Sequence, residues 1–142
     1  MYSTTELINL PQNGSLPREI DEGRENTRQS GNEGEDKAVL FLQEKGYQII
    51  SRNWRIRTGE IDIIAVKGDF IVFAEVKRQK ADNLETLSVK LNAKKQKTIV
   101  ETAKCYLSKH RQYNCKYIRF DVLVVDMPGY EPVFHIENAF SE

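Results

Sequence analysis

Cysteine is scarce in this 142-residue sequence, and Cys105 and Cys115 form neither a CxxC pair nor a zinc-type spacing. A zinc site is therefore not expected, and two ordinary thiols in a reducing cytoplasm are. No apolar run approaches the roughly 20 residues that a membrane helix needs, so no membrane association is expected. The first twenty residues, "MYSTTELINLPQNGSLPREI", lack a basic start followed by an apolar block, so a secretory leader is not expected either. No internal repeat is present. Net charge is also missing: 21 basic residues balance 21 acidic ones.

That zero hides a split. Residues 1–36 hold three basic and eight acidic residues, a net of −5, and the remainder carries +5. Within 77–119 there are twelve basic residues against Asp82, Glu85 and Glu101, a net of +9. Concentrated Lys and Arg mark either a polyanion partner or a solvated helix face. The length suits one domain with a real core. Residues 1–32 are polar, with scattered Pro, Gly, Asn and Ser, and are expected to be a mobile acidic tail ahead of a domain over 33–142.

Hydrophobic patterning then orders the domain. Apolar positions at 38, 41 and 42, closed by Gly46, predict a helix from about 33. Residues 47–56 read as a strand, and 60–67 and 69–79 as a hairpin around Gly68. A polar loop spans 80–86. A longer helix is predicted from about 87 to 110, with Leu87, Leu91, Ile99, Ala103, Tyr106 and Leu107 at helical spacing. Strands follow at 117–126 and, peripherally, at 131–138. The order α-β-β-β-α-β-β, with a long helix between the third and fourth strands, implies a crossover and a mixed central sheet.

The hairpin "EIDIIAVKGDFIVFAEVK" contains charges that a buried strand should avoid. With period-two alternation, Glu75 and Lys77 share a face with Ile71 and Phe73. A two-residue turn at Gly68-Asp69 sets Asp62 opposite Glu75, whereas a turn at Lys67-Gly68 sets it opposite Phe73 on that same face. Two close carboxylates repel unless a cation sits between them, and Mg²⁺ accepts such oxygen ligands. The competing reading is a Lys–carboxylate pair on a solvated face. Glu35 falls on the inward face of the first helix, but "NEGE" (32–35) also reads as a capping box. Lys95 interrupts the apolar line Leu91, Ile99, Ala103, so it either snorkels outward or reaches toward an anion.

The blocks "GEDKAVLFLQEKGY", "SRNWR", "GEIDIIA", "FAEVKRQ", "KKQKTIVETAKCYL" and "RFDVLVV" together resemble the YraN family of small, mostly uncharacterised bacterial proteins. That family is similar in turn to the restriction-endonuclease-like PD-(D/E)xK superfamily, which includes archaeal Holliday-junction resolvases. The resemblance implies an α/β restriction-endonuclease-like fold. It makes Asp62 the first acid and Glu75-Val76-Lys77 the (D/E)xK triplet, with Ile61 in place of the motif's Pro. It matches Glu35 to a helical Glu, and Lys95 and Gln96 to polar positions of the second helix. It implies that Asp62, Glu75 and the Val76 carbonyl hold Mg²⁺ or Mn²⁺, with Lys77 orienting the attacking water. The expected activity is hydrolysis of DNA phosphodiesters, in branched or damaged DNA, with Arg78, Lys94, Lys95, Gln96 and Lys97 on the nucleic acid. Junction-cutting enzymes of this kind are often two-fold dimers, so a homodimer is one expected assembly. The alternative is a nucleic-acid-binding module of the same fold that cuts nothing.

Overall fold

The computed structural model describes residues 29–78, 91–114, 116–126, 129 and 131–142. Helix α1 spans Gln29–Glu44, and strands β1 (Gln48–Ile56), β2 (Gly59–Lys67) and β3 (Phe70–Arg78) follow. Helix α2 (Ala93–Lys109) and a short 3-10 turn (Arg111–Tyr113) lead into β4 (Tyr117–Val125) and β5 (Val133–Phe140). The five strands lie side by side in chain order. The first three form an antiparallel meander, β3 and β4 are parallel, and β5 returns antiparallel. The parallel step is the one that α2 bridges, since parallel neighbours cannot be joined by a tight turn. The α-β-β-β-α-β-β order and mixed sheet expected from the sequence are those observed.

Alternation along the strands builds two cores. On one face Ala38 and Leu42 of α1 pack on Ile63, Ala65, Val72, Ala74, Leu123 and Val125. On the other, Ile99, Ala103 and Tyr106 of α2 pack on Ile64, Ile71, Phe73, Val122 and Val124. The inner strands are apolar on both sides because both sides are covered. Each large side chain fully removed from water contributes about 1.5–3 kcal/mol relative to exposure.

Both helices differ from their sequence-predicted starts. The first begins at Gln29 instead of near 33, so Asn32 lies within the helix and the capping-box reading of Glu35 does not hold. The second begins at Ala93 because Asn92 caps it, its side-chain oxygen accepting from Lys95 N at 2.9 Å. Leu91 is buried in the core without being helical, which mimicked helical periodicity upstream of the cap. The loop expected at 80–86 lies outside the described residues. So does most of the tail; only 29–32 of residues 1–32 are described, as the first turn of α1. Gly46 ends α1 as its spacing suggests. It takes φ 97°, and the Tyr47 and Gly46 amides donate to the Leu42 and Gln43 carbonyls, which is a Schellman closure. Among the described residues no helix is long and apolar enough to cross a membrane.

Candidate functional site

The hairpin register selects one of the two alternatives. Lys67 pairs with Phe70 and Ile63 with Ala74, so Gly68 and Asp69 form the two-residue turn, with Gly68 at φ 58°. The next step on that register sets Asp62 across from Glu75. The ladder stops there, and the Val76 amide donates to Asp62 Oδ2 at 2.8 Å. A side chain thus takes the place of a main-chain partner, and the two inner strands part where their ladder ends. Gly59, at the start of β2, permits this path. A Cβ there would lie 2.1 Å from Thr102 Oγ1 of α2, so only glycine lets the strand run this close to the helix.

The parted strands and α1 enclose a cleft of about 290 Å³, lined by Gly34, Glu35, Asp62, Glu75, Val76, Arg78 and Val125. Three acids therefore converge from one helix and two strands. Glu75 is buried, and Lys95 Nζ and Lys77 Nζ stand 3.5 and 3.6 Å from its Oε2. Lys95 thus reaches from α2 toward an anion. Asp62 is half-buried, and no Lys or Arg pairs with it among the described residues. Burial, then the Glu75 charge, push the Asp62 carboxyl well above the usual range, against the pull of the Val76 amide. Glu35 and Glu60 add to the rise. Burial also raises the Glu75 carboxyl, with Lys95 and Lys77 opposing. Glu35 accepts from Asn53 Nδ2 at 3.0 Å, and Arg52 Nη2 lies 3.6 Å from the same oxygen.

At the rim Arg78 meets Asp126 at 3.2 Å, and Asp126 also holds Lys37 at 2.6 Å. Lys94 and Lys97 are exposed on the first turns of α2. Gln96 does not line the cleft, and its amide donates to the Leu91 carbonyl at 2.9 Å. Among the described residues of the +9 segment, several basic side chains are engaged away from the cleft. Arg119 turns inward to Asp121, Lys104 pairs with Glu142, and Lys116 donates to the Gly68 carbonyl.

The donor chemistry suits a hard divalent ion. Asp62 and Glu75 are opposed acids that burial disfavours as charges, and a cation between them would relieve both costs. Among the described residues no three acid, imidazole or thiol groups gather as a complete ligand set. The remaining positions would fall to main-chain oxygen and water, as Mg²⁺ commonly accepts.

Sequence reasoning missed a second buried acid. Asp121, fully buried, accepts from Arg119 Nε and Nη2 (2.9 and 2.7 Å), His135 Nε2 (2.8 Å) and the Asn138 amide (2.9 Å). Burial pushes its carboxyl up, but these hydrogen bonds outweigh that and hold it below the usual range. A lone Asp between Phe120 and the apolar run "VLVV" was the available signal.

Residues 34–125 match the uncharacterised protein family UPF0102. A UPF0102 protein of Treponema denticola is 41% identical over 123 residues, covering 79% of this chain and 95% of its own length. Another from Caldicellulosiruptor saccharolyticus is 41% identical over 118 residues, covering 81% and 99%. One from Treponema pallidum is 42% identical over 113 residues, covering 77% and 90%.

Proposed function

The chain belongs to the uncharacterised protein family UPF0102, the YraN family that its sequence blocks resemble, and on that premise we propose that it is a metal-dependent endonuclease acting on DNA, with branched or damaged DNA as substrate. The observation that carries the reading is Asp62, an acid held by a main-chain amide, opposed by Glu75, and paired with no base among the described residues. An ion pair on a solvated sheet face would have set a Lys against it. A polyanion binder has no use for acids lining its cleft, whereas a phosphodiesterase needs them.

In this reading Asp62, Glu75 and the Val76 carbonyl would hold Mg²⁺ or Mn²⁺. A divalent ion supplies activation of water for attack on phosphorus and offsets phosphate charge. Lys77 orients the attacking water and stabilises charge developing at phosphorus. Glu35, from α1, would be an auxiliary ligand to the ion or hold one of its waters. Lys95 shares Glu75 with Lys77, so either ammonium is free to turn to phosphate once an ion takes that carboxylate. Arg78, Lys94 and Lys97 contact the phosphate backbone without reading bases. Gln96 contributes at most through the start of α2. A homodimer would suit a two-fold junction substrate.

The test is a cleavage panel of linear, flapped, forked and four-way DNA with Mg²⁺ or Mn²⁺, run beside Asp62→Asn. Metal-dependent cleavage by the wild type and none by the variant, with DNA binding retained by both, is the expected result. Binding without cleavage of any substrate would overturn the enzymatic reading in favour of a non-catalytic module. Absence of binding at low salt would remove DNA altogether.

A further inference from the structure

β1 departs from regular strand geometry where it passes the cleft. Asn53 has φ 53°, inside a strand that runs from Gln48 to Ile56. Left-handed backbone costs a residue with a side chain about 1–2 kcal/mol, and asparagine bears it better than most. Its neighbours Arg52 and Trp54 pair with Ile63 and Ile61, so Asn53 lies opposite Asp62. Asn53, Asp62 and Glu75 thus form one row across three strands. A left-handed residue breaks the strand's alternation, so its side chain is released from the face its neighbours dictate. The Asn53 amide is directed to α1, where Nδ2 donates to Glu35 Oε1 at 3.0 Å.

We infer that Asn53 is the positioning residue for Glu35, holding that carboxylate in the cleft wall beside Asp62. A glutamate side chain has three rotatable bonds and needs a partner to stay in one place. Arg52 is the competing partner. Its Nη2 is 2.9 Å from Asp36 Oδ1 but 3.6 Å from Glu35 Oε1. Without the Asn53 amide, Glu35 closes on Arg52 as a full ion pair and leaves the cleft. Asn53 also explains its own residue type: glycine would satisfy the backbone more cheaply but offers no donor. This role rests on the cleft being the metal-dependent centre proposed above. Partners that orient a metal site commonly matter about 10- to 100-fold in metal affinity.

The experiment is Mn²⁺ titration of the melting temperature of the full chain, for wild type, Asn53→Gly, Glu35→Gln and the double variant. Glycine suits φ 53°, so relief of the left-handed backbone should offset most of the lost Glu35 hydrogen bond and glycine's added unfolded-state entropy, and Asn53→Gly should fold and melt within about 4 °C of wild type without metal. Its apparent Mn²⁺ affinity should fall about tenfold. Glu35→Gln should show a comparable loss, and adding Asn53→Gly to it should change nothing further, because the amide acts through that carboxylate. Wild-type Mn²⁺ affinity in Asn53→Gly would overturn the inference. So would a loss that persists undiminished in the Glu35→Gln background, or a Glu35→Gln protein with unchanged affinity. In each of these cases the wild type still responds to Mn²⁺, so the nuclease reading survives. A wild type indifferent to Mn²⁺ overturns both.

Discussion

Replacing Asp121 by alanine should lower stability by about 3–5 kcal/mol, the range for removing one partner of a buried ion pair. The carboxylate is fully buried and accepts four hydrogen bonds, two of them from Arg119. The guanidinium cannot easily leave once its acid is gone. Tyr47 Oη accepts from its Nη2, and it lies 5.8 and 5.2 Å from the Tyr47 and Phe70 ring centres. The variant therefore keeps a poorly solvated cation with its main counter-charge removed. For a domain of this size about 4 °C accompanies each kcal/mol, so the melting temperature should drop by about 12–20 °C at pH 7. The pH dependence has a definite sign. Asp121 is held below the usual carboxylate range, so its folded state binds fewer protons than the unfolded chain. Its contribution is complete above the unfolded value of about 4 and is lost as pH falls through the lower folded value. The gap between wild type and variant should narrow below about pH 4. Thermal melts by circular dichroism from pH 7 to pH 2.5 read both effects. A drop under about 4 °C at pH 7, corresponding to about 1 kcal/mol, would refute the buried-pair argument. Asp62→Asn should behave in the opposite way. Burial and Glu75 already oppose the Asp62 charge, and an asparagine oxygen can still accept from the Val76 amide. The metal-free variant should melt at or above the wild-type temperature, and a large loss would refute the opposed-acid reading.

Gly59→Ala should cost about 1–3 kcal/mol by overpacking against Thr102 and Thr98, seen as a lower urea midpoint and partly restored by adding Thr102→Ala. An unchanged midpoint would mean that β2 does not need its close approach to α2. Lys77→Ala should abolish metal-dependent DNA cleavage while Mn²⁺ still stabilises the protein, because the ammonium stands beside Glu75 and ligates nothing. Loss of both would make Lys77 part of the ion's site. Lys94→Gln together with Lys97→Gln should weaken binding to all DNA sequences alike and reduce the salt slope of affinity by about two. An unchanged slope would remove the first turns of α2 from the phosphate interface.

What local chemistry could decide was legible along the chain. Short apolar and β-branched runs bounded by turn residues placed the five strands, Gly46 placed the end of α1, and the long segment between β3 and β4 implied a crossover and hence a parallel pair. The relation of Asp62 to Glu75 narrowed to two registers, because hairpin pairing depends on few neighbouring residues. Choosing between them needed the turn at Gly68-Asp69 as built. Everything set by residues far apart in sequence waited for the folded chain. Asn53 reaches Glu35 across 18 positions, and Arg119 reaches Tyr47 across 72. Asp121 went unremarked in the sequence because two of its partners, His135 and Asn138, come from β5. Counting charges along the chain likewise says nothing of where they point. Among the described basic residues of 77–119, Arg119 turns in to Asp121, Lys104 turns to Glu142, and Lys94 and Lys97 stay exposed on α2. Periodicity is a property of one segment, whereas a carboxylate's partners, and therefore its protonation and its chemistry, are properties of the space in which several segments meet.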